Sequence, residues 1–341
     1  MRPIPAWLWR RRWRTLGALL FLGFAALNAS AYLHARAMTH FVPGGARTPP
    51  PESLAFLEKL KILATGVRLP KPLNGTTPAA LGLDFTTHTI ETADGLALEV
   101  WRIPAPAARG TVLLFHGYAV SKASVLPQAQ AFHALGFDTL LVDFRGSGGS
   151  AGHATTLGHD EVLDVAAAVR LAESLPAVEP VILYAYSMGT AAVLRAGATA
   201  GVRPAALILE GPFSTMLQAV ENRFALMELP AFPAAHLLVF WGGVQHGFNA
   251  FAHSALDYAR SVRCPVLVLR GELDSRSTAG EAAALRAALA GPAELVAIPG
   301  AGHDSVATER PDEWRGAVAH FLAPLTRAGT SAPAPPRGPE R

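Results

Sequence analysis

The chain has 341 residues, half of them hydrophobic, which is enough for one substantial core. Its net charge is +3, but five arginines lie within the first 14 residues, and subtracting them leaves −2 for residues 15–341. Because the basic charge is confined to one end, we expect no domain face that binds nucleic-acid phosphates. The single cysteine, Cys264, cannot form an intramolecular disulfide, and we expect a buried structural thiol.

A long apolar segment follows the arginines. Residues 1–14 are predicted to form a basic cytoplasmic N-terminus and residues 15–33 a transmembrane signal anchor, with Tyr32 at the far interface. The alternative is a secretory signal peptide, cleaved at a site that Ala29 and Ala31 would supply. The positive-inside rule predicts that everything after residue 34 is exported. We therefore expect a membrane-anchored, extracytoplasmic domain, or a secreted one if the segment is cleaved.

Residues 34–80 are predicted to be a connector with an amphipathic helix. Leu54, Leu57, Leu60 and Leu63 are spaced to form one apolar helical face. That face would either dock on the following domain or lie on the membrane, and docking is our expectation. At the other end of the chain, residues 326–341 are rich in Pro, Ala and Gly and are predicted to be a disordered tail.

Between residues 81 and 325, apolar strands alternate with helical stretches, which predicts one α/β domain with a mostly parallel, doubly wound sheet. Residues 87–91 and 96–101, joined at Asp94-Gly95, are predicted to form an opening antiparallel hairpin. Helices are expected near residues 124–135, 159–174, 188–199, 279–290 and 311–322.

Residues 184–190, with the sequence YAYSMGT, place Ser187 directly after a strand and directly before an Ala-rich helix. This pattern is typical of a nucleophile elbow, where the chain turns sharply and small residues on either side let strand and helix pack closely. Gly189 meets the second small position, and Ala185 replaces the usual first glycine with one added methyl group.

Two partners for the serine follow in the chain. A serine needs a base and a group that orients the base. Asp274 lies in the turn after an apolar strand, and His303 lies in a glycine-rich loop after the next one. The order Ser187, Asp274, His303 occurs in known catalytic triads, with His303 as base and Asp274 as its orienting acid. Glu210, at the end of another strand, is the second candidate for the acid.

Acyl transfer also needs donors for an oxyanion. The backbone N–H of Met188, the residue after the nucleophile, is one candidate. The N–H of Tyr118, after a strand that ends at His116-Gly117, is the other. Asp143 and Arg145, in the loop after the next strand, are expected to be structural.

Residues 211–263 are predicted to form a small cap inserted after the strand that ends at Glu210. We expect its aromatic side chains to contact an apolar acyl chain or to pack the cap onto the sheet: Phe240, Trp241 and Phe248.

The chain resembles the α/β-hydrolase superfamily, in its bacterial branch of serine esterases, monoacylglycerol-lipase-like enzymes and serine-aminopeptidase-like proteins. The motifs that carry the resemblance are His116-Gly117, Asp143-x-Arg145-Gly146-x-Gly148-x-Ser150-x-Gly152, Ser187 with Gly189, Gly271-x-x-Asp274 and Gly302-His303.

The resemblance implies an α/β-hydrolase fold, preceded here by the transmembrane helix, and hydrolysis of carboxylic esters or thioesters through an acyl-enzyme. It implies no metal or cofactor, and the expected partners are a small-molecule or lipid-like ester and the membrane. A peptidase or an acyltransferase with the same triad remains an alternative. A hydrolase fold that only binds is a further alternative.

Overall fold

The computed structural model describes residues 6–49, 53–175 and 179–328. Its centre is an eight-stranded sheet with the order β1-β2-β4-β3-β5-β6-β7-β8. Strand β2 is antiparallel to both of its neighbours, and all the other pairs are parallel. The strands are β1 Thr86–Glu91, β2 Ala97–Ile103, β3 Thr111–Phe115, β4 Asp138–Val142, β5 Val181–Tyr186, β6 Ala206–Glu210, β7 Val266–Gly271 and β8 Ala293–Ile298.

Helices cover both faces of the sheet, as a mostly parallel sheet requires. One core layer joins the sheet to α4, α5, α8 and α9, and the other joins it to α3, α10 and α11. The helices are α1 Ala6–Thr39, α2 Phe56–Thr65, α3 Leu126–Ala134, α4 Val162–Ser174, α5 Met188–Thr199, α6 Met216–Leu226, α7 Ala234–His246, α8 Ala255–Ala259, α9 Ala279–Ala288, α10 Val306–Glu309 and α11 Pro311–Ala328.

The alternation of side chains along β5 shows why both layers form. Leu183 and Ala185 belong to one core layer, whereas Ile182 and Tyr184 belong to the other. Because successive side chains of a strand point to opposite faces, a continuous apolar run supplies both cores. The doubly wound fold and the opening hairpin that the sequence predicts are confirmed.

Helix α1 contains the predicted membrane segment. Residues 11–39 form a helix long and apolar enough to cross a membrane, with a mean hydropathy of 1.7 over its most apolar window. Its first half is exposed, and side chains such as Leu20 and Phe21 are more than 60% accessible. Its last turns pack on the protein, where Ala31 and Ala35 are buried. Residues 1–5 of the predicted basic N-terminus lie outside the described residues.

The connector differs from expectation. Helix α2 contains three of the four leucines of the predicted face, and Leu54 precedes the helix. Leu57, Leu60 and Leu63 are 76%, 43% and 36% exposed. The prediction that this face docks on the following domain is therefore wrong for these three side chains. The carbonyl of Leu63 instead accepts a hydrogen bond from the ring of His34 in α1, at 2.9 Å. This contact places α2 next to the membrane helix.

The region predicted as a cap contains α6, α7 and α8. Residues 234–246 form a regular helix that contains two adjacent glycines. The second of them, Gly243, lets the residues that follow the helix pack closely against it. A Cβ there would lie 2.5 Å from the carbonyl oxygen of Phe248. At the C-terminus, α11 continues to Ala328, beyond the predicted domain limit of 325. The rest of the predicted tail lies outside the described residues.

Candidate active site

Ser187 occupies the sharp turn between β5 and α5, with φ 50° and ψ −114°. A positive φ is unusual for a residue with a side chain, and such strain is found at functional turns. The turn fits only because Gly189 lacks a side chain: a Cβ would lie 2.9 Å from the carbonyl oxygens of Phe115 and His116. Ala185 is fully buried in the core, so its added methyl group is accommodated.

The structure brings the three predicted triad side chains together. Oγ of Ser187 lies 3.2 Å from Nε2 of His303. Nδ1 of His303 lies 2.8 Å from Oδ2 of Asp274. These distances allow the hydroxyl to donate to the imidazole while the imidazole donates to the carboxylate. The catalytic roles of the three residues remain a prediction.

The carboxylate of Asp274 is held in place by the main chain. The N–H groups of Arg276 and Ser277 both donate to its Oδ1, each at 2.8 Å, which leaves Oδ2 for the histidine. Gly211 lies beside this pair with a positive φ of 59°, a conformation that favours glycine, and a Cβ there would be in ordinary contact with Cε1 of His303 at 3.4 Å. Sequence reasoning missed Gly211, although a glycine directly after a strand end signals a sharp turn.

Glu210, the second candidate for the orienting acid, has other partners. It is buried and accepts hydrogen bonds from the Tyr184 hydroxyl at 2.8 Å, the Trp314 indole at 2.7 Å and the Val306 N–H at 2.9 Å. Burial raises the pKa of its carboxyl. Glu210 therefore ties β5, α10 and α11 together, next to the loop that carries His303. No local sequence signal pairs it with Trp314.

The loop of the predicted oxyanion donor Tyr118 is fixed by His116. The main-chain N–H of Phe144 donates to Nε2 of His116 at 3.1 Å, so Nδ1 carries the proton and donates to the Gly117 carbonyl at 2.8 Å. Burial lowers the pKa of His116 and keeps it neutral. His116 is thus a structural brace.

Both predicted oxyanion residues lie beside the serine. Tyr118 and Met188 line one cavity with Ser187 and His303. Gly117 allows the close approach of the loop, because a Cβ there would lie 3.0 Å from the ring of Tyr186, closer than ordinary contact. The assignment of the two N–H groups as oxyanion donors remains a prediction.

Two spaces meet at the serine. The inner cavity is narrow, about 50 Å³, and mostly apolar, with a wall formed by Met38, Leu157, Phe213, Met216 and Val220. The outer cleft is about 500 Å³, and Arg47, Val67, Leu69 and Tyr186 contribute to its wall. Met38 of α1 lines both spaces, which sequence reasoning did not find because α1 is far from the motifs along the chain.

The three aromatic side chains of the predicted cap have different surroundings. Trp241 packs edge-on against Tyr32 at 5.5 Å and donates from its indole to Asn28 Oδ1 at 3.3 Å, so it contacts α1. Phe240 is 47% exposed and contacts the Trp241 ring. Phe248 stacks on His159, with ring centroids 3.9 Å apart. None of the three lines the inner cavity. Trp241 and Phe240 lie on α7 and face α1 and solvent, whereas Phe248 lies after the end of α7, stacks on His159 before α4 and lines a second cavity.

The remaining polar candidates have structural partners. Asp143 accepts from the buried ammonium group of Lys122, and Arg145 pairs with Asp164 at 2.8 Å and Asp94 at 2.9 Å.

Cys264 is half-buried rather than fully buried, and burial raises the pKa of its thiol to about 11. Within residues 6–49, 53–175 and 179–328, no group of three His, Cys, Asp or Glu side chains is placed to hold a metal ion.

Sequence comparison identifies a matching family. Residues 106–240 match the sequence model of the family described as serine aminopeptidase, S33. The chain is 29% identical over 217 residues to the protein Rv2307c of Mycobacterium tuberculosis, covering 63% of this chain and 71% of that protein. It is 25% identical over 206 residues to the protein bem46 of Schizosaccharomyces pombe, covering 59% of this chain and 64% of that protein.

Structural comparison finds the same fold. The esterase Pf2001 of Pyrococcus furiosus superposes with a TM-score of 0.65 at 23% identity, covering 75% of this chain and 97% of the esterase. Est1E of Butyrivibrio proteoclasticus, solved with ferulic acid, superposes with a TM-score of 0.56 at 18% identity, covering 70% of this chain and all of Est1E. The esterases share the sheet and its helices, and at these identities the likeness shows the fold.

Proposed function

We propose that the chain is a serine hydrolase of the α/β-hydrolase superfamily that cleaves carboxylic esters or thioesters through an acyl-enzyme. The observation that supports this proposal is the continuous hydrogen-bonded chain from Ser187 through His303 to Asp274, which opens onto an apolar cavity. The family match and the neighbouring folds support a hydrolase, and the ester or thioester reaction is our inference.

The proposed reaction has two halves. Nε2 of His303 takes the hydroxyl proton as Ser187 attacks the substrate carbonyl, and the N–H groups of Tyr118 and Met188 hold the oxyanion. His303 then gives the proton to the departing alcohol or thiol, and the acyl group stays on the serine. Water, deprotonated by His303, attacks the acyl-enzyme and restores the free serine. Asp274 stabilises the imidazolium formed in each half.

A peptidase with the same triad is the second candidate, because the matched family is described as serine aminopeptidase. An aminopeptidase has to bind the ammonium group of its substrate, which calls for a carboxylate near the serine. Among the described residues that line the inner cavity, the groups that carry a permanent charge are the arginines Arg223 and Arg276. The described lining of the inner cavity therefore has no carboxylate for a free amino terminus and favours the acyl part of an ester or thioester, whereas Asp304 lines the outer cleft.

The membrane helix determines where this activity would act. One N-terminal helix is long and apolar enough to cross a membrane. With the arginines before residue 15 on the cytoplasmic side, the positive-inside rule places the hydrolase domain outside the cytoplasm. We propose that the chain keeps this helix as an anchor.

A fluorophosphonate probe tests the proposal. We expect the native full-length protein to be labelled and the Ser187→Ala and heat-denatured forms to stay unlabelled, since only an activated serine reacts. A panel of esters, thioesters and aminoacyl amides then separates esterase from peptidase, and added alcohol acceptors reveal acyl transfer. A folded protein that neither takes the label nor turns over any member of the panel would show that the fold only binds.

A further inference from the structure

A second apolar cavity adjoins the inner cavity. The two share four lining residues, Met38, Leu157, Met216 and Val220. The second cavity has a volume of about 60 Å³ and leads away from Ser187 between α1 and α7. Both cavities are small, and each has room for only a few methylene groups of a hydrocarbon chain. We call the second one the α1–α7 cavity.

Two helices form most of its wall. From α1 come Ala35, Met38 and Thr39, and from α7 come Leu238, Gly242 and His246. The span of α7 from Leu238 to His246 is about 12 Å at the rise of an α-helix. The hydroxyl of Thr39 already donates to the Ala35 carbonyl at 2.9 Å, so it is occupied within α1.

The position of the α1–α7 cavity relates it to the membrane. Ala35 lies two residues beyond Leu33, the end of the predicted membrane segment. The exposed apolar part of α1 therefore leads directly to the wall of the cavity. A hydrocarbon chain that leaves the bilayer along α1 would reach an apolar space that adjoins the cavity at the serine.

We propose that the α1–α7 cavity binds the acyl chain of a lipid-like ester or thioester, so that the membrane helix is itself part of the substrate-binding site. The inference rests on the proposed function, since the carbonyl of that chain is placed at Ser187. The adjoining positions of the two cavities and their apolar walls favour an acyl chain over a peptide, whose main chain needs polar partners. The outer cleft remains for the alcohol or thiol part of the substrate.

Gly242 offers a sharp test, because it lines the cavity and no atom lies within 4 Å of a Cβ built there. Gly242→Leu would fill the cavity without displacing the backbone. Each buried methylene contributes a factor of about four to affinity. With the full-length protein in detergent micelles, we expect the ratio of kcat/KM for p-nitrophenyl decanoate to that for the butyrate to fall at least about tenfold.

Gly316→Leu is the matched control. Gly316 also lies in a helix, α11, with open space at its Cβ, but it lies on the surface away from both cavities. We expect its decanoate-to-butyrate ratio to equal that of the wild type. Leu238→Ala widens the same cavity, and we expect it to raise the decanoate-to-butyrate ratio. This variant provides a second test if the Gly242 variant does not fold.

The outcomes separate the two proposals. If the wild type hydrolyses butyrate but neither cavity variant changes the ratio, the α1–α7 cavity does not hold the acyl chain and the serine hydrolase proposal stands. If the folded wild type neither hydrolyses any ester nor takes the fluorophosphonate label, the proposed function fails, and the acyl site fails with it.

Discussion

Two carboxylates lie near His303, and their hydrogen-bond partners distinguish them. Asp274 receives two main-chain N–H groups on one oxygen and presents the other to the histidine. Glu210 accepts from a tyrosine, an indole and a main-chain N–H, and its partners lie in the framework of the fold. The position of a carboxylate at a strand end does not by itself assign its role, whereas the donors around it do.

Asp274→Asn is expected to lower kcat for ester hydrolysis by about 10⁴, because an amide can donate to Nδ1 and stabilise the wrong imidazole tautomer. Glu210→Gln is expected instead to lower the free energy of unfolding by about 1–3 kcal/mol, because its amide nitrogen cannot accept from the tyrosine or the indole. Steady-state kinetics and urea unfolding of both variants check this. If the Glu210→Gln variant were as stable as the wild type but as inactive as Asp274→Asn, the two assignments would have to be reversed.

The packing of α1 on α7 is the main feature at the scale of elements. Trp241 contacts Asn28 and Tyr32, and Gln245 donates to the Tyr32 carbonyl at 2.8 Å. At the end of the contact, the rings of His40 and His246 stack with their centroids 5.2 Å apart. The helix that resembles an anchor in sequence is therefore also a packed element of the hydrolase domain.

Titration of this histidine pair should loosen the contact. Burial, and next the charge of Arg36, lower the pKa of His40 below its ordinary 6.5. Burial also lowers the pKa of His246, which outweighs the opposing charges of Asp160 and Glu161. Because the unfolded junction binds more protons than the folded one, the stability contributed by this pair is complete above pH 6.5. It is lost as the pH falls from there through the lowered pKa values of the two rings.

Hydrogen exchange of residues 28–40, corrected for its intrinsic pH dependence, measures this loosening. We expect protection to fall below pH 6.5 in the wild type and to change less in a His40→Gln/His246→Gln variant. His153, whose ring centroid lies 6.5 Å from that of His40, is kept in both proteins. Equal protection above and below that pH in the wild type would contradict the prediction.

For the whole molecule, the exposed apolar surface indicates a membrane. Residues of the first half of α1 and of α2, such as Leu22, Phe24 and Leu57, are more than 60% exposed. Contiguous apolar surface of this kind is seldom left in water. The hydrogen bond between His34 and the Leu63 carbonyl holds the two helices side by side, so both are expected to contact the bilayer.

We expect the mature protein to keep residues 1–33 and to resist extraction from membranes by alkaline carbonate. Cleavage after Ala31 would remove Asn28, the hydrogen-bond partner of Trp241, and would expose part of the packed face of α1. N-terminal sequencing of protein from the membrane fraction checks this. A mature chain that begins at Tyr32 would show that the segment is a signal peptide.

The sequence by itself determined the alternating α/β pattern, the long apolar segment near the N-terminus and the positions of Ser187, Asp274 and His303 after strand ends. These features are local: an apolar run, a small residue beside a turn or a cluster of arginines is visible within a few residues.

Only the tertiary structure decided which residues, distant in the sequence, contact one another or line the same cavity. It paired Glu210 with Trp314, placed Trp241 on α1 instead of in a pocket, and brought Met38 to the serine. Such contacts depend on how whole helices pack, and packing is set by the summed shape of many side chains rather than by any short motif. The link between the membrane helix and the site is therefore visible only in the fold.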